Sequence, residues 1–455
     1  MILVGIHSQA ATAQGVQTET NQVENNKTEL NQPQFNQTEK NQTVSLQAQS
    51  DPTETNQANN TQLQINQPES APLITKLKSI GFENIAVRLT AADLTIAYEN
   101  RVYRSQHRAL AEVLKTVAQS GVTADSLHIL MLYREQPMSQ LSTSLADLRA
   151  MIAGEISYQQ WQQGSRFTLE HSQSLEELRG VERVQKTRFR PEILAGLGMR
   201  YQLGNYNNPY RFAFDLQPEL RLPLPYGVTA NVRMAVPLYN NFDQNDFIRP
   251  SLITLTYERR LVDGVYASAT TGIFTRNRKG WHSMLKAFLW EEVFSVTLEG
   301  GQTLFTDLTG NPFLRSFEER DFHFYTASAD YRWRRYDLNI RAQYGKFLYE
   351  DTGLRVDVHR HFGDALFGFF FMDTRFGNNY GFSFSLPFPQ RKSVKAGPVR
   401  FRTATHFPVT YHYQGNDYRA RSHETGITMR EALMEFYPSY LRKEMERWFY
   451  TPKRM

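Results

Sequence analysis

Most of the chain beyond Phe189 alternates, residue by residue, between apolar and polar side chains, and few folds satisfy such a pattern over that length. A β-strand sends successive side chains to opposite faces, so each alternating segment builds one apolar and one polar face. Phe212, Phe214, Leu216, Leu220 and Leu222 share one face, against Ala213, Asp215, Gln217, Glu219 and Arg221. Val228, Ala230, Val232, Met234 and Val236 oppose Thr229, Asn231 and Arg233, and Ile253, Leu255 and Tyr257 oppose Thr254, Thr256, Glu258 and Arg260. Tyr325, Ala327, Ala329, Tyr331 and Trp333 oppose Thr326, Ser328, Asp330, Arg332 and Arg334. Tyr336, Leu338, Ile340, Ala342 and Tyr344 then oppose Asp337, Asn339, Arg341 and Gln343. Short turn signals (Pro225-Tyr226-Gly227, Asp263-Gly264, Arg334-Arg335-Tyr336) are mixed with the longer polar connections Gly204–Tyr210, Tyr239–Pro250 and Thr306–Asp321. The pattern predicts an antiparallel meander of about twelve strands within 187–413. Gly300-Gly301 reads as a turn or bulge signal.

A soluble barrel or sandwich would turn the apolar faces inward, whereas a transmembrane barrel turns them out to lipid. Three features favour the membrane arrangement. The segments run to about ten residues, the length of a tilted membrane strand, where soluble strands average about 5–6. Aromatic residues gather near segment ends, at Tyr201, Tyr210, Phe212, Tyr239, Tyr257, Tyr266, Trp281, Phe305, Tyr344 and Tyr349, as interfacial girdles do. The polar faces carry both charge signs close together, which suits a hydrated interior. Composition agrees: 30 Phe and 23 Tyr accompany a mean hydropathy of −0.52. The expected architecture is therefore mainly β, a transmembrane β-barrel lined inside by Arg221, Arg233, Arg260, Asp330, Arg332, Arg334, Asp337 and Arg341.

The remaining chain divides by composition. Residues 1–13 resemble a truncated signal peptide, with an apolar run at Met1–Ile6 and the small-residue site Ala11-Thr12-Ala13. Residues 14–72 are rich in Asn, Gln and Thr and predict a disordered tether, because so little can be buried against chain entropy. The glycosylation patterns at Asn36-Gln37-Thr38 and Asn41-Gln42-Thr43 are read as chance. Residues 73–180 predict a small α/β module: strands at Ile85–Leu89, Leu94–Tyr98 and Leu127–Tyr133, and a helix opened by Ser105 with its buried face at Ala109, Leu110, Val113, Leu114 and Val117. Trp161–Gln185 reads as a polar linker. Residues 414–455 predict a helical tail that Pro438 kinks or splits.

Several chemistries fall away. The chain has no Cys, so a disulfide scaffold, a Cys-ligated metal and a cysteine nucleophile are excluded. A net charge of +5 is too weak to argue for nucleic acid. No metal or other cofactor is expected. His107 and His128 read as surface or packing histidines, for want of partners at metal-ligand spacing. His359 and His361 share a face with Asp357, but no Ser motif accompanies them. Glu291-Glu292 and Glu318-Glu319 are read as turn charges. An outer-membrane lipid or glycan hydrolase is the lesser alternative.

The run Arg101-Val102-Tyr103-Arg104-Ser105-Gln106-His107-Arg108-Ala109-Leu110, then Leu132-Tyr133-Arg134-Glu135-Gln136-Pro137-Met138-Ser139, resembles the small α/β module of the YjbH/GfcD family of exopolysaccharide and capsule clusters. Arg360-His361-Phe362-Gly363-Asp364 and Gly381-Phe382-Ser383-Phe384-Ser385-Leu386-Pro387 resemble the end of that family's barrel. The resemblance spans roughly Leu73 to Phe388. It implies an outer-membrane protein with a periplasmic module that takes part in exopolysaccharide or capsule secretion or assembly. The implied partners are outer-membrane lipids, an acidic or neutral polysaccharide and periplasmic export components. Family members often carry a further barrel region and a lipoprotein cysteine, where this chain has its polar tether. A non-conducting scaffold, its barrel filled by the tail, is the other structural reading.

Overall fold

The computed structural model describes residues 68–203, 209–242, 247–306, 316–317, 323–393, 397–414, 423–426 and 429–450. The expected signal peptide, the tether as far as residue 67, and Glu318-Glu319 lie outside the described residues.

A five-stranded sheet comes first in the chain. Its strands are β1 (Glu83–Leu89), β2 (Asp93–Glu99), β3 (Ser126–Tyr133), β4 (Gln136–Ser144) and β5 (Arg166–Thr168), in that spatial order. Only β2 and β3 run parallel, because α2 (Gln106–Ala118) makes the crossover between them. The apolar positions of α2 recur every three or four residues, so Ala109, Leu110, Val113, Leu114 and Val117 are all fully buried. Helices α1 (Ala71–Ile80), α3 (Leu145–Ala153) and α4 (Tyr158–Gly164) share that core. Ser144 caps α3 by accepting from the Asp147 N–H, and Ser157 with Gln160 forms a capping box on α4. Trp161–Gln185 is not a linker. It holds part of α4, the edge strand β5 and α5 (Ser172–Glu177), and Trp161 is fully buried against Tyr158 and Phe167. The polar composition misled because one face of a short helix suffices to cover the sheet's second side, where Leu175, Leu178 and Val181 pack on Ala86, Ala97, Leu130 and Leu132.

The second sheet is a long meander. Its strands are β6 (Glu192–Leu203), β7 (Tyr210–Pro223), β8 (Val228–Asn240), β9 (Arg249–Val262), β10 (Val265–Phe274), β11 (Arg278–Phe288), β12 (Phe294–Thr306), the two-residue β13 (Ser316–Phe317), β14 (His323–Trp333), β15 (Leu338–Lys346), β16 (Thr352–Phe362), β17 (Ala365–Thr374) and β18 (Gly377–Pro387). Apart from β13, each pairs antiparallel with the next, giving twelve long strands in sequence order among the described residues. Tight turns form where backbone chemistry allows. Arg276 and Asn277 both take positive φ (61° and 58°) in the three-residue loop that joins Phe274 to Arg278 between β10 and β11.

Two further strands occupy the ends of the order. β19 (Arg400–Thr403) pairs parallel with β6, and β20 (His406–Gln414) pairs antiparallel with β18. Only Ala404 and Thr405 separate them, and the Ala404 N–H still bonds to the Ala195 carbonyl at 2.8 Å. One stretch of chain thus serves the first and the last strand of the meander in succession. β20 makes no ladder with β6, although the Tyr201 hydroxyl donates to the Thr410 carbonyl and the Tyr201 and Tyr411 rings stack.

Burial in this sheet is inverted relative to a water-soluble sandwich. Along β14, Phe324, Thr326, Ser328, Asp330 and Arg332 are buried, while Tyr325, Ala327, Tyr331 and Trp333 are exposed. Lys286 and Arg332 are each 1% exposed, yet Phe369, in the middle of β17, is 69% exposed. Two residues expected in an aromatic girdle turn the other way. Tyr266 is fully buried, with its hydroxyl toward the Met138 carbonyl of the α/β module, and Tyr349 sits under Arg278. Gly300-Gly301 does not turn the chain either; both lie inside β12. A Cβ on Gly301 would fall 2.7 Å from the Phe324 ring and 2.3 Å from the Trp281 carbonyl, whereas one on Gly300 meets nothing closer than 3.6 Å. The glycine at 301 therefore serves close packing of Phe324 beside His282.

The tail is split at Pro438, which opens α7 (Pro438–Tyr450) after α6 (Met429–Met434). No helix among the described residues is long and apolar enough to cross a membrane. Gly301→Ala is expected to lower unfolding stability by about 1–3 kcal/mol through overpacking, and Gly300→Ala to change it by less than about 0.5 kcal/mol. Denaturant midpoints of the two variants in detergent check this; equal midpoints would contradict the packing role.

Candidate functional site

The buried face of the long sheet is an ionic interior, and it holds the residues that the sequence pattern selects. Glu219 accepts from Arg221 (2.5 Å) and from Arg233 (2.8 Å). Asp330 accepts from Lys286 (3.0 Å) and Arg341 (2.8 Å). Asp337 is held by Arg332 and, from the tail, by Lys443 at 3.4 Å. Arg260 bonds to Asp263 in the following turn. Arg334 stands apart from the others: it lies in the turn after β14, is half-exposed, and reaches Glu292 (2.9 Å) and Glu291 (2.7 Å). Asp337 also belongs to that turn, but its side chain is buried. A buried charge is strongly disfavoured unless paired, so the interleaving of signs along these strands is a condition of burying them at all.

The second element of this interior is the tail, which the sequence offered as the filling of a non-conducting barrel but without its path. After β20, His423 stacks on Phe274 (ring centroids 5.2 Å apart) and meets Phe324 and His282. Glu424 exchanges hydrogen bonds with Thr275, whose N–H donates to the Glu424 carbonyl at 3.2 Å while the Glu424 N–H donates to its hydroxyl at 2.8 Å. These contacts lie near the turn that joins β10 to β11. Farther along, Tyr437 meets Phe288 and lies under the Arg332 guanidinium, and the Ser439 N–H donates to Glu292. These groups belong to the opposite ends of the strands. The described tail residues therefore meet the buried face at both ends of the strands, 423–424 at one and 437–439 at the other. The residue-level signal was the apolar spacing of Leu433, Phe436, Tyr440, Leu441, Met445 and Trp448, which shows a buried face but not its partner.

The α/β module and α7 are seated together on the rim where the turns are short. Glu258 of β9 takes Arg134 of the module, and Glu83 of β1 takes Arg400 (2.8 Å) and Arg190 (2.7 Å). Arg101 lies between Glu99 (2.6 Å) and Glu192 (3.8 Å). Burial alone would raise the Glu99 carboxyl, but Arg101, Asn84 and the N–H groups of Glu135 and Arg134 outweigh it and hold the group below the usual range. Asp364, in the turn between β16 and β17, receives Arg104 from the module and Arg447 from α7 (2.8 Å). His107, fully buried on α2, completes this junction. Its Nε2 lies 3.4 Å from Asp364 but accepts from Arg447 at 2.6 Å, which requires the neutral ring. Burial, then Arg447, lowers its pKa to about 3, against the pull of Asp364. Glu435, at the bend between α6 and α7, is pushed up to about 7 by burial and by Asp364, which Arg402 and Arg104 only partly offset.

His361 is buried with its ring 4.7 Å from Tyr440, and His359 faces Gly368, so both serve packing of the interior. Among the described residues no group of three His, Asp or Glu could hold a metal ion.

A family model described as exopolysaccharide biosynthesis protein YbjH matches residues 4–389. The chain belongs to this YjbH exopolysaccharide biosynthesis family. The match begins far upstream of Leu73, so it includes the polar segment that the module-based resemblance left out. No curated protein matches the chain significantly.

The folded His107 titrates near 3 and an unfolded histidine near 6.5, so the unfolded chain binds more protons between those values. Stability contributed by the neutral ring is complete above about pH 6.5 and is lost progressively as pH falls toward 3. His107→Gln, which keeps an acceptor for Arg447, should flatten the loss of unfolding midpoint between pH 7 and 4 by about one proton's worth. An unchanged pH slope would contradict the assignment.

Proposed function

We propose that this protein is an outer-membrane β-barrel that serves exopolysaccharide secretion or assembly, with its α/β module on the periplasmic side. The observation that carries the reading is the inverted burial of the long sheet, with a paired ionic face inside and an apolar face outside. Strand lengths of 9–14 residues support it. So do two bands of exposed aromatic residues: Tyr226, Trp290, Trp333 and Phe362 toward the module rim, and Tyr210, Tyr239, Tyr325 and Tyr344 toward the other. The Arg400–Gln414 stretch, which pairs first with β6 and then with β18, is the element that closes the barrel in this reading.

The occupied interior favours a scaffold over an open passage. Arg221, Arg233, Arg332 and Arg341 are each engaged by carboxylates, and residues 423–426 and Tyr437 fill space that an open lumen would leave to a polymer. Short turns and the seated module suit docking of periplasmic export components. The role is non-catalytic. In planar bilayers the purified full-length chain should show no stable channel. Steady step conductance would contradict the scaffold reading and restore a path through the interior.

A further inference from the structure

The first and last strands of the meander meet at a seam that is zipped at one end only. β19 runs parallel to β6, and β20 continues beside β6 in the same direction. At the module rim the junction is firm. β19 covers Glu192–Ala195, Arg400 is held by Glu83 and Arg402 by Glu192, each at 2.8 Å, and His406 Nε2 donates to the Asp364 carbonyl at 2.8 Å. Beyond Ala195, no backbone hydrogen bond joins β6 to β20 among the described residues. The Pro191 and Ala195 carbonyls accept from the Arg400 and Ala404 N–H groups, so by alternation the backbone groups of Leu197, Met199, Tyr201 and Leu203 face β20. On β20 the Thr410 carbonyl faces β6, because the Tyr201 hydroxyl donates to it. Pro408 therefore lies on the same edge, and proline has no N–H to give. The other tie across the seam is the stack of the Tyr201 and Tyr411 rings, with centroids 6.3 Å apart and planes at 4°.

The inner side of this seam is wet. Tyr411 and its ladder partner Phe382 are both exposed on the outer face. Cross-strand partners share a face, so Pro408, Thr410 and His412 lie on the inner side with Ser385, Ser383 and Gly381. All three are nevertheless exposed, whereas the inward Thr326, Ser328 and Asp330 of β14 are buried. Hydrocarbon cannot satisfy the unpaired backbone groups of such an edge, but water behind it can. We propose that the β6–β20 seam is a lateral gate: β19 is its hinge, the Tyr201–Tyr411 pair is its clasp, and its opening joins the wet inner strip to the bilayer. The assignment rests on the membrane reading of the exposed face, and the test separates the two.

The chain has no Cys, so introduced thiols are the sole sites for nitroxide labels. The full-length chain is labelled at Leu203→Cys with Tyr413→Cys, across the seam, or at Leu203→Cys with Tyr210→Cys, a pair within the β6–β7 ladder, and reconstituted in phospholipid vesicles. Dipolar EPR should give one narrow distance for the ladder pair and a short and a long component for the seam pair. Tyr201→Ala should raise the long-to-short ratio roughly tenfold, the scale of one lost hydrogen bond and one lost aromatic stack. Tyr201→Phe, which keeps the stack, should raise it by roughly threefold. A single narrow seam distance, or a spread that both Tyr201 variants leave unchanged, would overturn the gate. Single labels test the two sides. Thr410→Cys should be relaxed by a water-soluble nickel chelate, and Phe369→Cys by oxygen instead. A label at Thr410→Cys that the chelate cannot reach would sink the wet strip and the gate with it. A label at Phe369→Cys relaxed mainly by the chelate would overturn the membrane reading, whatever the seam distances show.

Discussion

The burial of one charged face governs this structure. Lysine and arginine side chains such as Lys286 and Arg332 are withdrawn almost wholly from solvent, and each must meet a carboxylate there. Such pairs add little net stability, because desolvation offsets their attraction, but breaking one is severe. Their effect is to fix register. A shift of one residue along any strand would carry the whole charged row to the apolar face. Asp330 illustrates the constraint. It sits opposite Arg341 on β15 and within reach of Lys286, two strands away on the other side, so three strands are pinned by one carboxylate.

The same logic extends beyond the sheet. Glu83, Glu258 and Asp364 bind arginines contributed by another part of the chain, and these pairs seat the α/β module and α7 on one rim. Apolar packing completes the junction. Leu433, Phe436, Tyr440, Leu441 and Met445 share a single core with Leu110, Leu114 and Trp161, so tail and module bury their apolar faces together. Tyr266 joins that core from β10, which explains why it turns away from the exposed face. The tail is therefore both the filling of the interior and a strut from rim to module.

Alternation carried most of the architecture in legible form, because a strand's two faces are written directly into its sequence. Segments such as Tyr325–Trp333 give two distinct faces and a length at once. What alternation could not express was the destination of either face. The rows of Arg and Asp were legible as a face, yet their mutual pairing depends on cross-strand neighbours that one sequence does not display. The tail's path was hidden for a similar reason: apolar spacing in Leu433–Met445 declares a buried side without naming what buries it. Trp161–Gln185 failed differently, since a three-residue edge strand and a six-residue helix carry too few periodic positions to register. Tyr266 and Gly301 were misread because tertiary contacts, with Met138 in one case and Phe324 in the other, decide what those positions do.

The central claim is that the exposed aromatic face meets lipid around a closed barrel. Density-gradient fractionation of cells, followed by gels of boiled and unboiled protein, tests it most directly. The account predicts sedimentation with the outer membrane and faster migration of the unboiled chain, because a closed barrel resists unfolding by detergent. Soluble protein with one mobility in both samples would contradict it and would leave the charged interior as the core of some other assembly.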